Sequence, residues 1–184
     1  EKFYKNKYSK IIDLFYGEIE TIIVDKKSNK KLSSSIQPSC FFILPIPNKL
    51  DITLKDCIDL YLEEELLDDD NKWYNEKTEE YIVAKKKIII KTSPKILIIC
   101  LNRFTNNGNK INNEIKVSES LQFNKKRYNL YGICNHIGSS SGGHYIAQCK
   151  NNNEWYRFND GLVTKISKLN LVSSSIYCLF YRLN

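Results

Sequence analysis

Residues 128–158 read YNLYGICNHIGSSSGGHYIAQCKNNNEWYRF, and Asn159 and Asp160 follow directly. Within this stretch His144 comes after Gly142 and Gly143 and opens an alternating run. Two glycines leave a length of backbone without side chains, so another chain can pass close to it. A histidine at that point projects into whatever approaches, and an imidazole titrating near about 6.5 exchanges protons at neutral pH. A lone histidine on a strand is more often a core residue bonded to a neighbour. Asn159 and Asp160 change the balance, because a polar group beside the ring fixes which nitrogen holds the proton. An amide oxygen accepts from the ring N–H, and a carboxylate does the same while stabilising the imidazolium. The competing reading is that Asn-Asp-Gly is simply a turn, which its composition also suits.

The elements around these residues must bring them together. Strands are expected at 144–150 and 154–158, joined by the polar connection 150–153 as a hairpin. Hairpin pairing sets the start of one strand opposite the end of the next, so the side chain at 159 or at 160 lies beside His144. Further strands are expected at 18–24, 40–44, 80–92, 95–102, 111–117, 128–137 and 176–183, with a turn at 106–109. Residues 25–38, rich in lysine and serine, read as a solvated loop. Residues 53–66 read as the clearest helix, capped by Thr53 with Asp56 in a capping box, with Leu54, Ile58, Tyr61 and Leu62 on its apolar face. One helix among many sequential strands argues an α+β class: a mainly antiparallel sheet with a helix alongside. His136, the only other histidine, is expected to be structural, bonding loop backbone. The aromatics Trp155, Tyr156, Phe158, Tyr177, Phe180 and Tyr181 read as strand packing.

Bulk properties narrow the classes. A chain of 184 residues with 42% hydrophobic and 27% charged residues fits one soluble globular domain. No run of about 18 apolar residues exists, so no membrane span is expected, and no membrane partner is expected. The first ten residues are charged and lack the apolar core of a signal peptide. There is no methionine, and the chain is expected to be a piece of a longer one. The net charge of +7 is spread along the chain. Lys85, Lys86 and Lys87 form a short basic run and residues 63–70 an acidic one nearby, both read as solvated surface, and nucleic-acid binding is not expected. The six cysteines are widely spaced, several beside apolar runs. They read as buried free thiols of a reducing compartment, cytoplasmic or nuclear. None has CxxC spacing, so no metal site is expected from them.

Taken together, residues 128–160 resemble the histidine box of ubiquitin-specific proteases. IYCLFYR at 176–182 resembles that family's closing strand, and ILIICLNRF at 96–104 its buried strand and Arg-Phe. The Leu44-Pro45-Ile46-Pro47, Glu65-Leu66, Trp73-Tyr74 and Ala84-Lys85-Lys86 pieces follow in the family's order. The resemblance covers nearly the whole chain and implies a papain-like fold of fingers, palm and thumb that cleaves after the Gly-Gly tail of ubiquitin. By that likeness His144 is the general base, Asn159 its orienting partner and Asp160 a supporting acid. Gly142, Gly143 and Tyr145 would bind substrate, and 138–143 would be a mobile loop lining the ubiquitin tail. Residues 1–184 would form one partial catalytic domain, fingers and palm, with the thumb largely absent. The family's cysteine box, ending Asn-Thr-Cys-Tyr, is missing, so the nucleophile is expected outside this chain, in an N-terminal thumb segment of the same enzyme. The chain alone would then be inactive. The paired CxxC ligands of zinc-bearing fingers are missing too: residues 24–35 hold no cysteine, and Asn75 and Thr78 stand where the second pair would be. No cofactor or metal is expected. The partners implied are ubiquitin and ubiquitinated proteins, and the rival reading is an inactive ubiquitin-binding module.

Overall fold

The structure is a computed structural model that describes residues 9–184; the charged lead at 1–8 lies outside the described residues. The α+β class expected from the sequence is the one adopted. An eight-stranded, mostly antiparallel sheet runs in the order Leu162–Ile166, Glu154–Asn159, Gly142–Asn151, Lys126–Ser139, Ile176–Leu183, Ile96–Leu101 and Phe42–Leu44, with Ser120–Phe123 also paired to Lys126–Ser139. Only Phe42–Leu44 joins it in parallel. A second sheet of four strands, Lys31–Ser39, Gly17–Asp25, Ala84–Thr92 and Glu65–Leu67, forms the fingers.

The core lies on one face of the large sheet, where Leu97, Ile99, Leu101, Leu179 and Tyr181 are at most 1% exposed. Helix Leu54–Leu62 covers it with Leu54, Cys57 and Ile58. Its start follows the expected capping box: Thr53 Oγ1 accepts from the Asp56 N–H at 3.3 Å, and Asp56 Oδ2 accepts from the Thr53 N–H at 2.8 Å. The buried tyrosines keep their hydroxyls satisfied, Tyr128 on the Pro94 carbonyl and Tyr181 on that of Ser118.

Four expectations are corrected. The helix stops at Leu62, not 66, because Glu65–Leu67 pairs with Ala84–Lys86 in the finger sheet, and acids at a helix C-terminus oppose its dipole. Within the expected loop 25–38, only the turn after Asp25 is a loop; Lys31–Ser39 is an edge strand paired along Gly17–Asp25. Its Pro38 is tolerated there because an edge strand has one unpaired side. The expected strand 111–117 shrinks to Ile115–Lys116. Arg103 holds the Ile111 and Asn113 carbonyls, which are therefore spent on a side chain instead of a ladder. The expected loop 138–143 is a tight hairpin, paired as far as Ser139 and Gly142.

Candidate active site

Three short turns build the region. Asn152 and Asn153 both have positive φ, 48° and 64°, as a two-residue type I′ hairpin requires. They join Gly142–Asn151 to Glu154–Asn159, and the ladder runs from Asn151 against Glu154 to Ala147 against Phe158. Asp160, with φ 49°, and Gly161 turn the chain into Leu162–Ile166. The turn reading of Asn-Asp-Gly and the site reading are thus both true: the turn fixes where Asn159 ends its strand.

Alternation puts His144, Ile146 and Gln148 on one face, and Asn159, Arg157 and Trp155 on the same face of the next strand. Asn159 is the diagonal neighbour that reaches the ring. His144 Nε2 donates to Asn159 Oδ1 at 2.5 Å, since an amide oxygen only accepts. With its proton on Nε2, the neutral ring leaves Nδ1 as a free lone pair. Asp160 Oδ2 lies 3.8 Å from the same Nε2 and is 82% exposed, against 45% for His144, so its charge acts through solvent. Of the two positions open in the sequence, 159 makes the bond and 160 stands behind it.

The glycines divide. A Cβ on Gly143 would sit 2.2 Å from His136 Nε2 and 2.6 Å from the Ile137 carbonyl, and one on Gly138, at φ 125°, 2.5 Å from the Gly142 carbonyl. Packing therefore demands glycine at both positions. Gly142 meets nothing within 4 Å, so its bare backbone faces open space. Tyr145 lies on the opposite sheet face from His144, 54% exposed, its ring 4.7 Å from that of His136.

His136 does not bond loop backbone through its ring, as the sequence suggested. It is 4% exposed, packed among Phe104, Tyr145 and Tyr177, and its Nδ1 has no partner. Burial and nearby Lys110 push its pKa down, so it stays neutral and serves as the floor under Gly143. The sequence carried one signal of this: His136 falls opposite Tyr145 once the 138–143 hairpin is drawn.

A polar recess on the His144 face, lined by Asn135, Ile137, Ile146, Gln148, Arg157 and Ser175, was not foreseen; alternation from His144 and Asn159 would have found it. A broader recess at Glu119, Asn129, Lys150 and Arg182 lies at the far end of the His144 strand.

No cysteine joins His144. Cys134, opposite Ala147, and Cys149 project from the other face of the same hairpin. Cys100 and Cys178 continue that row across the sheet. Cys57 is enclosed beneath the helix, and burial pushes its thiol up to about 11. Only Cys57 among the six is fully buried; the others are half-buried. Among the described residues no three His, Cys, Asp or Glu side chains converge as a metal site would require, and no helix is long and apolar enough to cross a membrane.

Comparison with known proteins gives the arrangement its context. The chain is 31% identical to ubiquitin carboxyl-terminal hydrolase 21 of Rattus norvegicus over 202 residues, covering 100% of this chain and 35% of that protein. It is 32% identical to ubiquitin carboxyl-terminal hydrolase 2 of Gallus gallus, covering 99% of this chain and 55% of that protein. Its fold superimposes with TM-score 0.81 and 26% identity on a solved structure of the SAGA Ubp8/Sgf11/Sus1/Sgf73 DUB module bound to ubiquitin aldehyde, over 99% of this chain and 44% of the other. The chain thus spans between 35% and 55% of the length of these three proteins. The family model described as ubiquitin carboxyl-terminal hydrolase matches residues 1–181, and with sequence and fold agreeing over that length, the chain belongs to the ubiquitin carboxyl-terminal hydrolase family.

Proposed function

We propose that this chain supplies the base and the orienting amide of a cysteine-type deubiquitinating hydrolase, the nucleophilic cysteine lying outside its 184 residues. The observation that carries the reading is the His144 Nε2–Asn159 Oδ1 bond, beside which no cysteine of this chain stands. With Nε2 holding its proton against the amide, Nδ1 takes the proton of an incoming thiol as its sulfur attacks the carbonyl of ubiquitin's last glycine. The same nitrogen then returns the proton to the leaving amine, and water releases ubiquitin from the acyl-enzyme. Asp160 stands behind the pair, its Oδ2 3.8 Å from His144 Nε2. Gly142, with open space over its backbone, Gly143 and Tyr145 border the path of the Gly-Gly tail.

The test uses the longer protein that contains this chain and a reporter attached to the ubiquitin C-terminus. His144→Ala is expected to lower kcat/KM by about 10⁴-fold and Asn159→Ala by about 10²-fold; activity that survives the first substitution refutes the role of His144. The absence of a thiol at the site favours one second reading, a ubiquitin-binding module without hydrolysis. Ubiquitin capture by the longer protein, with no turnover, would select it. The 184-residue chain alone is expected to release no reporter.

A further inference from the structure

The face of the large sheet opposite His144 carries a row of sulfurs. Cys100 is the register partner of Cys178, and Cys178 is the register partner of Cys134. Directly opposed residues on adjacent strands point to one face, so three thiols lie side by side on three strands. Cys149 sits on the fourth strand, two residues along from the partner of Cys134. Only one pair in the row touches: Cys100 Sγ and Cys178 Sγ are 3.1 Å apart. Both are half-buried, so neither is sealed from solvent.

We propose that Cys100 and Cys178 form a thiol–disulfide pair oxidised by hydrogen peroxide. The inference does not depend on the function proposed for His144. Opposed residues on antiparallel strands hold their Cα atoms about 4.5–5.5 Å apart, inside the range of about 4.4–6.8 Å that a disulfide accepts. The bond therefore forms without moving either strand. One thiol must be the attacker. Either sulfur can donate across the 3.1 Å contact; with Cys178 as the donor, the Cys100 thiol is drawn down and that of Cys178 pushed up, and Cys100 is taken as the attacker. Burial and neighbouring thiols push Cys134 up as well, leaving it a protonated bystander.

The steps balance. The Cys100 thiolate attacks one peroxide oxygen; an S–O bond forms, the O–O bond breaks, and the departing hydroxide takes a proton to become water. Cys100 is now a sulfenic acid. The Cys178 sulfur attacks it; the S–S bond forms, the S–O bond breaks, and the hydroxide leaves with the Cys178 proton as a second water. Two thiols have lost two electrons, and one peroxide has been reduced to two waters.

The test is site-resolved mass spectrometry of the reduced chain after peroxide, with remaining thiols alkylated under denaturing conditions. The expected product is a peptide pair joined through Cys100 and Cys178, lighter by two hydrogens and separated again by dithiothreitol. The cross-link is expected to persist in Cys134→Ser and to vanish in Cys100→Ser, where Cys178 stays as alkylatable as before peroxide. In Cys178→Ser, Cys100 is expected to stop at the sulfenic acid and to be captured by dimedone. Should these variants fail to fold, alkylation rates in the unsubstituted protein decide: Cys100 is expected to react ~5-fold faster than Cys134. Cross-links spread over Cys134 and Cys149, both thiols surviving peroxide, or equal alkylation rates would overturn the proposal.

Discussion

In the eight-stranded sheet the side chains of Leu97, Ile99, Leu101 and Leu179 are at most 1% exposed, whereas in the finger sheet Ile23, Val24 and Ile90 keep 8–9% and share their burial with an ion, Glu20, at 8%. Glu20 accepts from Lys31 at 3.2 Å, from the Ser34 hydroxyl at 2.6 Å and from Lys91 at 3.1 Å, so one carboxylate ties three finger strands. Glu64 pairs with Lys85 and Lys87, and Glu65 with Lys86, so the acidic and basic runs that looked like two solvated surfaces neutralise each other. The large sheet is fixed by excluded water, which is non-directional and does not depend on paired charges. The fingers are fixed by charge, which acid weakens and which salt weakens where the pair is exposed. The same strand geometry therefore gives a rigid platform for His144 and Asn159 and an adjustable extension beside it.

The largest effect should come from an ion buried in the apolar region. Arg103 is fully enclosed and donates to the carbonyls of Ile176, Ile111, Asn113 and Ser173. Burial lowers its pKa to about 10, which still leaves it charged at neutral pH. Arg103→Met removes every donor and leaves those carbonyls unpaired, an expected loss of about 4 kcal/mol, read as a lower urea midpoint with an unchanged m-value. Leu179→Ala should follow at about 3 kcal/mol, the cost of a cavity in a packed core. If either change cost no more than a surface substitution, the large sheet would not be the rigid partner in this contrast.

The same division decided what was legible in the sequence. The strands at 96–101 and 176–183 and the first turns of the helix announced themselves, because burial writes apolar periodicity into the chain. The His144–Asn159 pair was legible because a two-residue turn sets hairpin register, and register sets diagonal neighbours. The strand Lys31–Ser39 was not legible: almost every residue in it is exposed, so no apolar alternation marks it, and its pairing rests on backbone bonds and on Glu20 reaching across. The helix end at Leu62 was hidden for a related reason, since a strand distant in sequence claims Glu65–Leu67. His136 was misread because its surroundings, Phe104, Tyr145 and Tyr177, come from three separate strands or loops and meet only in three dimensions.

A smaller and more local effect is expected in the fingers. Ser34, Lys91 and Lys31 hold the Glu20 carboxyl at about 2, well below its ordinary range. A carboxyl whose folded pKa is depressed contributes stability above its unfolded value, about 4.3, and that contribution is lost as pH falls toward about 2. Glu20→Gln removes it at every pH. Hydrogen exchange should rise across Gly17–Asp25, Lys31–Ser39 and Ala84–Thr92 while Ile96–Leu101 and Ile176–Leu183 stay protected. The same selective loosening should appear in the unsubstituted protein at acid pH. Exchange rising equally in both sheets would erase the contrast.

The smallest effect tests whether all finger ion pairs are alike. Glu64 is about as exposed as its partners, 32% against 31% for Lys85 and 47% for Lys87, whereas the Glu20 carboxylate is 11% exposed. Exposed pairs gain little, because water screens them and ordering long side chains costs entropy. Glu64→Gln should leave the thermal midpoint unchanged within measurement, and raising the ionic strength to about 1 M, where the screening length falls to about 3 Å, should make the variant and the unsubstituted chain indistinguishable by hydrogen exchange at Lys85–Lys87. Glu20→Gln should keep its deficit under the same salt, because its carboxylate is shielded by the strands it joins. If salt abolished both differences, Glu20 would belong with the surface pairs and the fingers would have no interior anchor. If it abolished neither, Glu64 would be structural as well, and the acidic run would count as part of the finger framework.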